Sequence, residues 1–203
     1  MYSIYHHVNL YNIKGNQFLK MHRQDLIQRL SKYRSDFMEE AAMINRTLRF
    51  ILAHEDCFNR ELMHGHVTGS AWVINPNRTH TLMLHHRKLD RWFQPGGHAD
   101  GDPDILQVVL KEVSEESGIE LDQVKLLSEN VFDVDIHTIY PSKHDDRHEH
   151  FDIRFLIEID DRLDIPGNSE SHQVAWIPLD QVSRFNNMRS LHRMVRKTKQ
   201  LFH

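Results

Sequence analysis

Three glutamates, Glu112, Glu115 and Glu116, fall close together in the stretch KEVSEESGIE. At i, i+3 and i+4 they share one side of a helix. Converging carboxylates repel one another and lose hydration unless something positive sits between them. A hard divalent cation is the simplest partner, because Mg²⁺ prefers oxygen ligands and keeps several waters and substrate phosphates. The plainer alternative is a solvated acidic helix end, and the glutamates alone do not decide against it. Upstream, four of the chain's eight glycines lie between Gly96 and Gly118. The Gly96-Gly97 pair lets the main chain approach a ligand just before a helix N-terminus, where free N–H groups favour anions. A phosphate-accepting loop followed by a metal-holding helix describes phosphoanhydride chemistry.

The element that positions these groups is well signalled. Asp102 suits the N-cap, Pro103 the first helical position, and Asp104 the positive end of the helix dipole. Gly118 can take the left-handed conformation that stops a helix. Between them Ile105, Val108 and Val109 lie on the same side as Glu112, Glu115 and Glu116, with Asp104, Gln107, Lys111 and Ser114 opposite. The inward stripe starts apolar and becomes acidic without changing direction.

At this point the chain resembles a known family. Gly97, followed by Lys111-Glu112-Val113-Ser114-Glu115-Glu116-Ser117-Gly118-Ile119, resembles the Nudix box, whose pattern is G-x5-E-x7-R-E-U-x-E-E-x-G-U with U aliphatic. Trp92-Phe93-Gln94-Pro95 looks like the family's usual lead-in. Two positions depart from the pattern. Pro103 stands at the first glutamate, flanked by Asp102 and Asp104, and Lys111 replaces the arginine, keeping charge but losing the planar fork. The resemblance implies an α/β fold, a Nudix-type α/β/α sandwich with a mixed sheet. It also implies a pyrophosphohydrolase in which Glu112, Glu115 and Glu116, with the Gly97 carbonyl, hold Mg²⁺ or Mn²⁺. Lys111 would orient a box glutamate, and Glu115, Glu116 and Glu170 are the candidate general bases. The implied substrate is a nucleoside diphosphate linked to another group.

The whole chain sets the frame for that expectation. Its 203 residues are enough for one domain with additions. A formal charge of -4 gives no general pull toward nucleic acid or an anionic membrane. The lone Cys57 fits a reducing compartment, and no apolar run exceeds four residues, so neither a signal peptide nor a membrane span is expected. A cytoplasmic protein follows from that reading. The expected division is an N-terminal helical extension over 1–65, the family-like domain over 66–185 and a C-terminal helix over 186–203. Residues 23–54 read as two helices, one on Leu26, Ile27, Leu30 and Tyr33, the other on Phe37, Met38, Ala41, Leu48, Ile51 and Leu52. Asp36 with Glu39 forms a capping pair for the second. These helices cover a sheet face or form a dimer surface. Oligomeric state stays open, with a homodimer common in the family. Strands are expected from Thr68 to Ile74, Thr81 to Leu84, Val131 to Tyr140, Phe151 to Ile159 and Val174 to Ile177.

Two of these strands carry polar side chains on one face. Phe151, Ile153 and Phe155 alternate with His148, His150, Asp152 and Arg154, and Asp133, Asp135 and His137 line the preceding strand. Joined as a hairpin across the Pro141–Arg147 loop, the two polar faces lie side by side. They form either a solvated surface or, as the resemblance implies, the floor of a substrate cleft in which His137, His148, His150 and Arg154 bind phosphate or a base. A zinc site built from His137, His148, His150 and Asp152 is a third reading. Gly96 and His98 should face the cleft, and Arg91 could meet a phosphate. The basic C-terminal helix has Met188, Leu191, Met194 and Val195 as its apolar side, so it packs on the domain with its lysines and arginines solvated. Two rivals to hydrolysis remain. One is a binding module that has kept the fold and lost the chemistry. The other is an isomerase like isopentenyl diphosphate isomerase, which carries Cys-Gly-His where this chain has Gly96-Gly97-His98.

Overall fold

The computed structural model describes residues 22–141 and 146–202. Residues 1–21 of the expected N-terminal extension, and most of the Pro141–Arg147 loop, lie outside the described residues. Eight strands form one mixed sheet: β1 Gly65–Ile74, β2 His80–His86, β3 Arg91–Phe93, β4 Gly96–His98, β5 Lys125–Leu126, β6 Asp133–Ile139, β7 His148–Glu158 and β8 Ser171–Pro178. Helices α1 Gln24–Lys32 and α2 Met38–Ala53 precede the sheet. Helix α3 Ile105–Ser117 follows β4, and α4 Val182–Phe185 and α5 Arg189–Phe202 follow β8. No helix among the described residues is long and apolar enough to cross a membrane.

The sheet's spine is the parallel pair β1 and β7, in register from Gly65 opposite Glu149 to Ile74 opposite Glu158. β4 lies antiparallel along the first half of β1, setting His98 opposite Thr68 and Gly96 opposite Ser70. β6 returns antiparallel on β7 and pairs Asp133 with Arg154, Asp135 with Asp152 and His137 with His150. The two polar faces read from the sequence therefore do lie side by side.

Strand alternation gives the sheet two unlike faces. Odd-numbered residues of β1 and β7, among them Val67, Ala71, Val73, Phe151, Ile153, Phe155 and Ile157, belong to the main core. Ile105, Val108, Val109 and Val113 of α3 join them, as do Leu26, Leu30, Ile44 and Ile51 of α1 and α2. Gly69 is where α3 comes closest: a Cβ there would stand 2.7 Å from a Val109 methyl and 3.0 Å from one of Ile105. Even-numbered residues change character along the strands. Trp72, Ile74 and Leu156 pack under Leu191 and Met194 of α5. Toward the other end the same face carries Ser70, Thr68 and His66 on β1 and Arg154, Asp152, His150 and His148 on β7.

Helix details correct several expectations. The N-cap of α3 is Asp104, whose carboxylate accepts from the Gln107 N–H, while Asp102 accepts from the Asp104 N–H in the turn before it. Pro103 fixes that turn and stands outside the helix. Its C-cap is Gly118 in the left-handed region, φ 75°. On α2 the expected Asp36–Glu39 capping pair is absent: Phe37 is the N-cap and no side chain caps it. Its inward stripe is Glu40, Ile44, Thr47 and Ile51, so Met38 and Leu52 point outward, 89% and 63% exposed.

The reason that stripe starts with a glutamate lies at the other end of the chain. Arg193 and Lys197, expected to be solvated, are buried. Lys197 donates to Glu40 at 2.6 Å and Asp133 at 2.7 Å, and Arg193 makes two 2.8 Å bonds to the Asp133 carboxylate. Arg154 adds bonds to Asp152 at 2.7 Å, Asp133 at 3.1 Å and Asp135 at 3.3 Å. The Tyr33 hydroxyl accepts from Lys197 and lies within hydrogen-bond reach of both Glu40 and the Phe132 carbonyl. One ionic hub thus ties α2, the β6–β7 hairpin and α5 together.

Candidate active site

Helix α3 runs its stripe inward as its sequence requires, so Ile105, Val109 and Val113 seat it on the sheet. One and two turns further on the same geometry delivers Glu112 and Glu116 beside the Gly96-Gly97 strand. Glu116 is 7% exposed and accepts a 2.8 Å hydrogen bond from the Gly96 N–H. Gly97 touches Glu112 so closely that a Cβ there would stand 2.5 Å from its Oε1. Glu115 lies further out and pairs with Lys111 at 3.6 Å, both more than half exposed. A pair that open to water orients Glu115 only weakly.

These carboxylates are held in an uncomfortable state. Burial, joined by Glu112 and Glu170, pushes Glu116 up from 4.5 to about 8, against the Gly96 N–H that favours its anion. Burial and the neighbouring Glu115 push Glu112 up as well. A solvated acidic helix end would show neither shift. Oxygen donors that are buried, adjacent and short of positive charge are the donor set a hard divalent cation fits.

The three glutamates open on a cavity of about 510 Å³, to which Glu170, Gly96, Gly97 and His98 also contribute. Its far wall is the polar face of the sheet, with Thr68, Ser70, His137, His150, Asp152 and Arg154. Leu84, Leu89 and Phe93 add apolar lining. Asp152 is fixed there by Ser70 at 2.8 Å, Thr68 at 3.1 Å and Arg154 at 2.7 Å. The polar face is therefore neither a solvated surface nor a free one.

The expected site residues separate accordingly. Glu112, Glu115, Glu116, Gly96, Gly97, His98, His137 and His150 are brought together around the cavity. Arg154 lines it too, but the residue is 1% exposed and its guanidinium is given to three aspartates, so it holds the wall and offers no fork to a phosphate. Arg91 is not among the described lining residues; it lies over the Phe93 ring, 5.7 Å from its centroid, and donates to Asn186. His148 is not a lining residue either. Of the four residues of the zinc reading, His148 and His150 come together, joined by His66, while Asp152 is committed to its hydroxyl and guanidinium partners and His137 stands beside Asp135. Cys57 is fully buried in the main core, so the fold gives an isomerase no cysteine to work with.

His66, Thr68 and Ser70 were missed as site residues. Their signal was present as alternation with Val67, Gly69 and Ala71 along β1, but short polar side chains in a strand carry no chemistry by themselves. His66 is 2% exposed with neither ring nitrogen hydrogen-bonded. Burial, with His98 and His148 nearby, lowers its pKa from 6.5 to about 4. Burial, with His137 foremost among its neighbours, lowers that of His150 to about 2.

Comparison with known proteins bears on this arrangement. A family model described as the NUDIX domain matches residues 64–198, thus reaching from β1 through most of α5. None of the curated proteins matches the sequence significantly. Among solved structures, a C. elegans Ap4A hydrolase in a binary complex aligns with a TM-score of 0.54 at 17% identity, over 66% of this chain and 96% of that one. The E. coli dihydroneopterin triphosphate pyrophosphohydrolase aligns with a TM-score of 0.51 at 15% identity, over 64% and 92%. At such identities the likeness concerns the fold.

Proposed function

Because the chain belongs to the Nudix hydrolase family, we propose that it cleaves the pyrophosphate of a nucleoside diphosphate linked to another group, using Mg²⁺ or Mn²⁺. The observation that carries this reading is the pair Glu112 and Glu116, turned into the cavity against Gly96-Gly97. Glu112, Glu115 and Glu116, with the Gly97 carbonyl, hold the cation. Such an ion neutralises the diphosphate and acidifies an attacking water. Lys111 pairs with Glu115 but orients it only weakly, whereas the Gly96 N–H keeps the Glu116 carboxylate facing the cavity. Glu115 and Glu170 are the exposed carboxylates of the site and the better candidates for general base, since Glu116 is buried and committed to Gly96. His98, His137 and His150 line the cavity across from the glutamates and offer imidazole nitrogens to the substrate. Helices before residue 65 and after residue 185 act as covers for the sheet, which the ionic hub between Glu40, Asp133 and Lys197 supports. Neither a transmembrane nor a nucleic-acid role is part of this reading, and the protein works in the cytoplasm as a monomer or homodimer.

The test is a Mg²⁺-dependent screen over nucleotide sugars, dinucleotides, oxidised nucleotides and coenzyme A. At least one class should release a nucleotide product with Mg²⁺ and none in EDTA. Ligand binding in every class without turnover would replace the hydrolase by a binding module.

A pH dependence of stability follows from Glu116. Its folded-state pKa, about 8, lies above the unfolded value near 4.5, so the folded chain binds the extra proton between them. Metal-free protein should therefore lose stability as pH rises through that window, by on the order of a few kcal/mol. Saturating Mg²⁺ should remove the slope, because the cation replaces the proton. Melting temperatures in EDTA between pH 5.5 and 8.5 read this directly, and a flat profile would mean Glu116 is ionised at no cost.

A further inference from the structure

The histidines on the polar face have a geometry that packing does not account for. His66 on β1 is the direct cross-strand partner of His150 on β7, and His148 lies two residues before His150 on the same face. One ring nitrogen from each of the three falls within 4.8 Å of the other two. The closest two, Nε2 of His148 and Nε2 of His150, face each other at 3.1 Å. Tetrahedral coordination at the usual Zn–N distance places two ligand nitrogens about 3.3 Å apart. His66 completes the triangle as a fully buried imidazole whose two nitrogens have no hydrogen-bond partner. Native folds seldom leave buried polar atoms unmet without a function for them. The His98 ring stands 5.0 Å from that of His66 and 5.1 Å from that of His150.

We infer that His66, His148 and His150 form a binding site for one divalent transition-metal ion of the Zn²⁺ class, distinct from the carboxylate group on α3. The donor types set the two apart: three imidazoles select a borderline ion over Mg²⁺, whereas carboxylates on α3 select the hard one. Three strand-borne nitrogens are the ligand number of an open zinc site, which keeps a fourth position for water or another oxygen. The site adjoins the shared cavity, which His150 lines. A phosphate oxygen of a ligand held by the glutamates is therefore the kind of group that can reach it. His148 keeps its Nδ1 against the Asp146 carbonyl at 2.8 Å, the outer-shell contact usual for a metal-bound imidazole, and presents Nε2 toward His150.

Cobalt serves as the spectroscopic probe. The full-length protein is stripped with chelator, dialysed and titrated with CoCl₂ in the presence of excess MgCl₂. One Co²⁺ per chain should bind and give the intense visible bands of a tetrahedral site, and one equivalent of Zn²⁺ should displace it. The variant His148→Ala/His150→Ala should lose Co²⁺ affinity by at least about 100-fold, with far-UV circular dichroism unchanged. Glu112→Gln/Glu116→Gln should keep both the stoichiometry and the bands. Absence of stoichiometric Co²⁺ uptake by the wild type overturns the site. So does a folded histidine variant that binds as the wild type does, or loss of the bands in the glutamine variant, which would move the ion to α3. Should the double variant fail to fold, His148→Gln alone, at the more exposed ligand, must still shift the spectrum.

Discussion

Replacing Glu116 by glutamine should lower turnover at saturating Mg²⁺ by at least about 100-fold while leaving the fold intact. Two effects compete at this position. Glutamine keeps an oxygen that can accept from the Gly96 N–H and nearly the same volume, so packing along α3 is preserved. It removes the negative charge whose burial makes the metal-free state uncomfortable. In EDTA at pH 8 the variant should therefore melt higher than the wild type, and the pH slope expected of the parent should flatten. With Mg²⁺ present the order reverses, since only the carboxylate gains from the cation. A folded variant that is more stable without metal and inactive with it separates a ligand from a packing residue. If Glu116→Gln retained wild-type turnover, the assignment of α3 as the metal helix would be gone. Glu115→Gln is the informative comparison, because Glu115 is exposed and touches the site from its rim.

The glutamate helix was legible because its signals are local. Asx and proline residues open α3, Gly118 closes it, and the period between them states which way each glutamate points. Even there the N-cap moved from Asp102 to Asp104, since two capping-type residues flank Pro103 and only tertiary context chooses between them. The pairing of the Asp133 and Arg154 strands was likewise readable from alternation, but the fate of the polar face was not. Alternation says which residues share a side and nothing about what covers it. Here the covering comes from α5, far along the chain, whose Arg193 and Lys197 read as surface charges in a helix with a modest apolar stripe. Glu40 hid for the same reason: an inward glutamate in a helix of 16 residues looks like a misplaced register until its lysine, 157 positions later, is beside it. His66 was lost because one histidine among 17 has no distinguishing neighbour in sequence. Its partners arrive through a parallel pairing that sequence order does not announce.

That hub carries the largest expected effect on stability. Asp133 is fully buried and accepts from Arg154, Arg193 and Lys197 at once. A network of this kind contributes little net stability against an apolar replacement of the whole, because desolvation offsets attraction. Breaking it at one member is different, for the remaining charges stay buried without compensation. Asp133→Ala would leave three cations facing Asp135, Asp152 and Glu40 with their central carboxylate gone, at a cost of about 3–5 kcal/mol. Set against a typical total of about 5–15 kcal/mol, that leaves a marginal fold. Urea midpoints should fall accordingly, whereas Arg162→Ala, at the exposed Arg162–Asp160 pair, should leave the midpoint in place. Acid should act on the same carboxylates. Burial pushes Asp133 and Asp135 up, but Arg193 and Arg154 on the first, and Arg154 and His137 on the second, outweigh it and hold both below the usual range. Their contribution is then complete above the unfolded value near 3.9 and is lost as pH falls below it. The wild type should destabilise steeply from about pH 4 downward, and Asp133→Asn should show a shallower acid limb from a lower starting point. A variant at Asp133 with the parent's urea midpoint and the parent's acid limb would mean that the three cations find other partners, and that α5 is held by its apolar stripe alone.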